Sequence, residues 1–291
     1  AQHASPRNAR TFASSVAALN PCGAIGASAI SSMRARKRRG RRERRRRESR
    51  RDHMLAHRPR TAIGTTGTGL QALRASPATA KGKAKFILAT DGQTLEAEDL
   101  TAGETIACDL SADMLKAVSE AALSRGLSHV KTVQTSVESL PFEDAGFDML
   151  GCRFSAHHWQ DVDAGLREGR RVLKPGAPAV FIDVVAPASP LLDTHLQGVE
   201  LLRDTSHVRD YSEAEWREKL SQAGYVVERA SLWRLRMDFP VWIARMATPE
   251  PLARAIRLVQ ESAPDEVRRH FAIEPDGSFL LDTMMFEARA A

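Results

Sequence analysis

The stretch that decides the fold is "TIACDLSADML", Thr105 to Leu115. A short apolar run ends on an acid, Asp109, and two residues later Ser111 opens a stretch with helical spacing. Ile106 and Cys108 fall on one face of an extended segment and Ala107 on the other. A serine placed there can cap a helix by accepting from an N–H of the first turn, and Asp113 suits the positive end of that helix. Met114, Val118 and Ala121/Ala122 recur at helical spacing, and Arg125-Gly126 supplies the stop. An acid at the carboxyl end of a strand is either a turn residue or a group that holds a ligand's hydroxyls.

The pattern repeats downstream. "HVKTVQ" reads as a strand, "SVESLPFEDAG" as a loop, and "FDMLGCRF" as a nearly continuous apolar strand buried on both faces. A helix over residues 161–173 carries Val162, Leu166 and Val172/Leu173, with Gly165 and Gly169 marking close packing. "KPG" ends it, and "AVFIDVV" is again a strand. Strands alternating with helices at this spacing predict an α/β fold: a doubly wound, mostly parallel sheet. Beyond Pro190 the spacing predicts a helix over 191–203 and a capping box at Ser212 and Glu215. It then predicts an alternating strand "LWRLRMDF", two or three short helices over 241–270, and a final strand "SFLLDTMMFEARA". The last strands form an antiparallel excursion.

Composition bounds the rest. The 291 residues suffice for one large or two modest domains. No apolar run approaches the ~18 residues of a membrane span. Cys22, Cys108 and Cys152 are too few and too scattered for a disulfide framework or a metal site, so no metal is expected; they fit a reducing compartment, cytoplasmic or organellar. The net charge of +6 joins two unlike parts. Between Arg34 and Arg60 stand 15 Lys/Arg against 3 acids, whereas Thr105–Ala291 has 21 against 28. The basic part alone sets the pI of 9.5.

Residues 1–80 read as a disordered extension rich in Ala, Ser and Arg, ahead of a domain over 81–291. No acid precedes Glu43, which resembles an organellar transit peptide. The basic block 34–51 suits a nuclear signal, a nucleic-acid arm or a solvated tail, or is not natural coding sequence. No aromatics interleave its arginines to stack on bases. The chain begins on Ala1, as a processed product, a fragment or an inaccurate gene model would. "GTTGTG", Gly64 to Gly69, reads as a flexible linker.

Four segments carry a resemblance: "IACDLSADML", "SVESLPFEDAGFDML", "CRFSAHHWQDV" and "LREGRRVLKPGAPAVFIDVV". In this order and spacing they resemble class I S-adenosylmethionine-dependent methyltransferases, in particular the ubiquinone/menaquinone C-methyltransferases. The resemblance covers nearly two-thirds of the chain and is specific over residues 105–185. It implies that Asp109 holds the cofactor's ribose hydroxyls, since a carboxylate offers two acceptor oxygens. It also implies that Leu110, Met114, Ser136, Val137, Glu138 and Arg153 surround the cofactor. The end of the fourth family strand faces the acceptor, where His157 or His158 is a candidate general base. His195, His207 and Tyr211 are candidates for the acceptor pocket.

One expected piece is absent. The glycine-rich loop of the family should end roughly twenty residues before the ribose-binding acid. Asp91-Gly92 stands there with a single glycine. Either "KFILATDG" substitutes for the first strand and its loop, or the true first strand is lost and the fold incomplete at that edge. The leading expectation is methyl transfer from S-adenosylmethionine to a small organic acceptor. A non-catalytic binding or assembly module and a nucleic-acid-associated protein acting through residues 34–51 are the alternatives. Nothing in the residues specifies an oligomeric state.

Overall fold

The computed structural model describes residues 104–291 throughout, and before them residues 10–14, 27–28, 61–62, 71, 74–75, 86–90 and 95–99. The basic block 34–51 and the 64–69 glycine stretch lie outside the described residues. By internal contacts the chain forms two units, one of residues 1–9 and 18–104, the other of 10–17 and 105–291.

In the first unit two short strands, β2 (Ala27–Ser28) and β3 (Thr61–Ala62), pair antiparallel. A separate hairpin joins β4 (Phe86–Thr90) to β5 (Leu95–Asp99), with Asp91-Gly92 between them. "KFILAT" is therefore a hairpin strand and does not stand in for the first strand of the large sheet.

The second unit is built on a seven-stranded sheet. Its strands are β1 (Arg10–Ser14), β6 (Glu104–Asp109), β7 (Val130–Gln134), β8 (Met149–Arg153), β9 (Pro178–Val184), β10 (Tyr225–Met237) and β11 (Phe279–Ala290). Their order is β10-β11-β9-β8-β1-β6-β7. The pairs β6–β7, β1–β8 and β8–β9 are parallel, while β11 runs antiparallel to both β9 and β10. The interior place between β8 and β6 falls to Arg10–Ser14, with Thr11 to Ser14 in register with Met149 to Cys152. The strand order reverses at this place, with β6 and β7 to one side and β8 and β9 to the other. Ligands of doubly wound sheets bind beside such a reversal, outside the carboxyl ends of the strands.

Helices follow the strands as the spacing predicts. Helix α1 (Ala112–Ser124) starts on Ser111, whose Oγ accepts from the Met114 N–H at 3.2 Å, and stops at Gly126 with φ +69°. Its buried stripe is Leu115, Val118 and Ala122, so Leu115 rather than Met114 points into the core. Helix α2 (Val162–Val172) packs closely on its glycine face. A Cβ on Gly165 would lie 2.6 Å from the Trp159 ring, and one on Gly169 2.9 Å from Leu150 Cδ1.

Beyond β9 come α3 (Pro190–Arg203) and α4 (Glu213–Gln222), the latter opened by the Ser212/Glu215 capping box. Three short helices, α5 (Phe239–Arg245), α6 (Glu250–Glu261) and α7 (Asp265–Phe271), separate β10 from β11. From Ala179 to Val184 every residue of β9 is buried, as expected of a central strand covered on both faces. One core joins Leu150, Leu166, Phe181, Trp216 and Phe286; another joins Leu196, Trp242, Ile256, Phe271 and Leu281 under α3 and α5–α7. Among the described residues no helix is long and apolar enough to cross a membrane.

Candidate active site

The site is assembled at the carboxyl ends of β6, β7, β8 and β9. Asp109 closes β6, and its Oδ1 accepts from the Ser111 N–H at 2.8 Å. The carboxylate thus fixes the turn into α1 while lying at the strand end. Leu110 beside it is 67 % exposed, an apolar side chain that nothing in this unit covers. Met114 is half-buried on the first turn of α1.

The loop after β7 is braced from within. Ser136 Oγ accepts from the Glu138 N–H at 3.2 Å and donates to Glu138 Oε2 at 3.2 Å. Glu138 Oε1 accepts from the Asp161 N–H at 2.8 Å, at the start of α2. Both Glu138 oxygens are therefore engaged in holding the loop against the helix. Arg171 secures the next stretch: it donates to the Leu140 and Phe142 carbonyls and pairs with Glu168 and Asp144.

At the end of β8 the chain bends sharply. Arg153 is buried, with its guanidinium 4.4 Å from the centre of the Phe154 ring. Phe154 adopts φ +47°, a left-handed conformation that costs a bulky residue energy and recurs where structure is held for function. Its N–H donates to the Ile182 carbonyl at 2.8 Å, which holds the bend against β9. A single 3₁₀ turn, Ala156–His158, follows. Trp159 is buried and donates from Nε1 to Ser155 Oγ at 3.1 Å, which makes it a packing residue.

The bend delivers His157 to the end of β9. Its Nδ1 lies 2.6 Å from Asp183 Oδ1. Asp183 is 2 % exposed and also accepts from the N–H groups of Ala156 and Val184. Three donors are thus aimed at this buried carboxylate. Burial works against charge on His157, but the Asp183 carboxylate and its hydrogen bond prevail and raise the imidazole to about 9. His158 turns the other way, with Nδ1 3.1 Å from Ser206 Oγ, and burial lowers its pKa.

Around His157 lies a buried polar cluster. His207 Nε2 is 2.9 Å from Gln197 Oε1, its ring centre is 5.8 Å from that of His157, and burial lowers it to about 4. Asp210 and Glu200 are buried acids whose pKa values burial raises. Donor atoms of His157, Asp183 and Asp210 all lie within 4.8 Å of one another, close enough to consider a metal ion. The 2.6 Å separation of Nδ1 and Oδ1 is instead that of a charge-assisted hydrogen bond.

The structure thus brings two of the sequence candidates together, His157 and His207, and sorts the others. His195 packs its ring 5.2 Å from Phe271. Tyr211 packs edge-on to Trp216, under the Lys219 ammonium. Asp183, Asp210 and Glu200 were not among the candidates. A charged residue inside the apolar run "AVFIDVV" was the available signal for Asp183, since buried acids persist only when partnered.

A doubly wound sheet with this order, an acid ending β6 and a polar bend after β8 defines a class I methyltransferase fold. The comparisons agree. Residues 89–181 match the methyltransferase domain family. The uncharacterized protein YafE of Escherichia coli is 48 % identical over 186 residues, which is 64 % of this chain and 90 % of YafE. The uncharacterized methyltransferase YcgJ of Bacillus subtilis is 36 % identical over 58 % of this chain and 67 % of its own. The crystal structure of YcgJ superimposes with a TM-score of 0.59 at 34 % identity, covering 64 % of this chain and 82 % of that one. A ubiquinone/menaquinone biosynthesis C-methyltransferase, UbiE of Hahella chejuensis, is 32 % identical over 31 % of this chain and 36 % of its own.

The chain belongs to the class I S-adenosylmethionine-dependent methyltransferases and is an enzyme of the methyltransferase type. Its cofactor is S-adenosylmethionine. The donor set fits the nucleoside half of that molecule: a carboxylate for the ribose at the end of β6, and beside it the Ser136–Glu138 loop at the end of β7. The residues that follow β1 lie outside the described ones.

Proposed function

We propose that this protein transfers the methyl group of S-adenosylmethionine to a small organic acceptor bound beyond the carboxyl ends of β8 and β9. The observation that carries the reading is the alignment of Asp109, the Ser136–Glu138 loop and the His157 bend on the ends of neighbouring strands. Asp109 receives the ribose hydroxyls through its carboxylate, whose two oxygens can accept from both. Because both Glu138 oxygens are occupied, the backbone of Ser136 and Val137 and the exposed Leu110 side chain face the adenine. Met114 and Arg153 flank the cofactor, and His207 lies behind the acceptor with His157.

The bound cofactor supplies an electrophilic methyl on a positively charged sulfur. The work left to the chain is to align the acceptor and to exclude water. The locked bend from Phe154 to His158 does the first, and the buried walls of β9 and α3 do the second. A binding or assembly role without catalysis rests on the absent glycine-rich loop alone. The acidic balance of residues 105–291 likewise gives no reason to place nucleic acid at this site.

Calorimetric titration of the full chain with S-adenosylmethionine and with its demethylated product tests the reading. Saturable heat with both is expected. Absence of heat and of thermal stabilisation at millimolar ligand would sink it.

A further inference from the structure

We propose that His157, with Asp183 behind it, is the recognition site for an ionised oxygen on the methyl acceptor. The Nε2–H of His157 donates to that oxygen. The acceptor class is therefore one that carries a carboxylate, enolate or phenolate oxygen at or beside the methylated atom. The proposal rests on the methyltransferase reading above and assigns the chemistry that the site selects.

The geometry supports it in three ways. First, Nδ1 is committed to Asp183, so Nε2 is the ring nitrogen left for a ligand. The His157 side chain keeps 12 % of its surface while Asp183 keeps 2 %, so the histidine is the member of the pair that a ligand can reach. Second, the ring is held. Asp183 fixes it from β9, and the His157 carbonyl accepts from the N–H groups of Val208 and Arg209. The His158 ring lies 4.2 Å away, centre to centre. A donor fixed in advance loses little freedom on binding.

Third, one imidazole of the cluster stands apart from the others. The groups that face His157 are Asp183 from β9, His158 from its own turn, Glu200 from α3, and Asp204, His207 and Asp210 from the segment after α3. Burial lowers His158 and His207 and leaves them neutral near pH 7, while it favours the protonated forms of Asp210 and Glu200. Asp204 is turned to the Ser206 hydroxyl and backbone N–H. His157 is thus the cationic imidazole of the cluster, and Asp183 is a positioning residue for it. An N⁺–H donor prefers an anionic oxygen over a neutral one, and such bonds are roughly twice as strong as neutral ones.

The test uses the full-length protein and p-nitrophenol, which ionises near neutral pH and changes colour when it does. The wild type should bind the phenolate about tenfold more tightly than the phenol, about 1.4 kcal/mol, which shifts the bound probe's colour change to lower pH. His157→Gln should abolish that preference while heat of binding for S-adenosylhomocysteine remains. Asp183→Asn should weaken the preference and move the His157 ring titration, read by NMR, from about 9 towards its ordinary value.

Equal binding of phenol and phenolate would overturn the proposal, as would no binding of either or a preference retained in His157→Gln. Benzylammonium binding in the probe's place would assign the site to its acids instead. Zinc displacing the probe at stoichiometric amounts would assign it to a metal. If His157→Gln fails to fold, the wild-type probe titration and Asp183→Asn still decide. Loss of S-adenosylhomocysteine heat in the wild type would fail the methyltransferase reading separately.

Discussion

His157 Nδ1 and Asp183 Oδ1 stand 2.6 Å apart, and this bond ties the turn after β8 to the last buried residues of β9. It makes stability depend on pH. The folded pKa of His157 is raised from 6.5 to about 9. A raised histidine contributes fully below its unfolded value and loses its contribution as pH rises through the folded one. The wild type should lose about 3 kcal/mol between pH 6.5 and 9. Urea unfolding at both pH values checks this, and Asp183→Asn should flatten the difference.

Asp109 holds the turn into α1 and is proposed to hold the ribose, and one substitution separates the two roles. Asp109→Asn keeps an oxygen for the Ser111 N–H but removes the charge. It should leave the melting temperature nearly unchanged and weaken S-adenosylmethionine binding by roughly 1.5–3 kcal/mol, the worth of a charge-assisted bond. Unchanged affinity by calorimetry would reduce Asp109 to a turn residue.

Gly165 has no room for a methyl group. Its Cβ would meet the Trp159 ring at 2.6 Å and Val137 Cγ1 at 3.1 Å. Gly165→Ala should cost about 1–3 kcal/mol through overpacking, despite alanine's better helix propensity. Part of the strain falls on Val137, in the loop proposed to face adenine, so cofactor affinity should drop as well. Denaturant midpoints and calorimetry on one preparation measure both.

The place of Arg10–Ser14 between β6 and β8 carries a sharper consequence. A chain beginning at residue 81 lacks β1 and leaves two facing strand edges unpaired. It should fail to show cooperative thermal unfolding, where the full chain does. Ala13→Pro, which removes a backbone donor from a central strand, should act in the same direction. Cooperative melting of the truncated chain would show that β1 is dispensable.

Ser212 tests the helix after the polar cluster. Its Oγ accepts from the Glu215 N–H, while Glu215 accepts from the Ser212 N–H at 2.8 Å. Ser212→Ala should cost about 1 kcal/mol, with S-adenosylmethionine affinity unchanged.

Much of this architecture was legible in local sequence. The capping box, the Ser111 cap, the Gly126 stop and the largely apolar β9 each depend on a few adjacent residues, and each formed where its pattern stood. Gly165 and Gly169 also kept their meaning, because a glycine on a helix face signals a close neighbour without naming it. The sequence could not name that neighbour as Trp159.

The local order of residues by itself determined the alternation of strands and helices, the acid at the end of β6 and the family to which the chain belongs. Tertiary structure alone decided the rest. Which segment fills the interior place between β8 and β6 depends on pairing over more than a hundred residues, so Arg10–Ser14 takes it and the better-looking "KFILAT" closes a local hairpin. Which histidine carries charge depends on a carboxylate 26 residues away, brought within 2.6 Å by two parallel strands. Adjacent in sequence, His157 and His158 become opposite in chemistry because β9 ends beneath one of them and not the other.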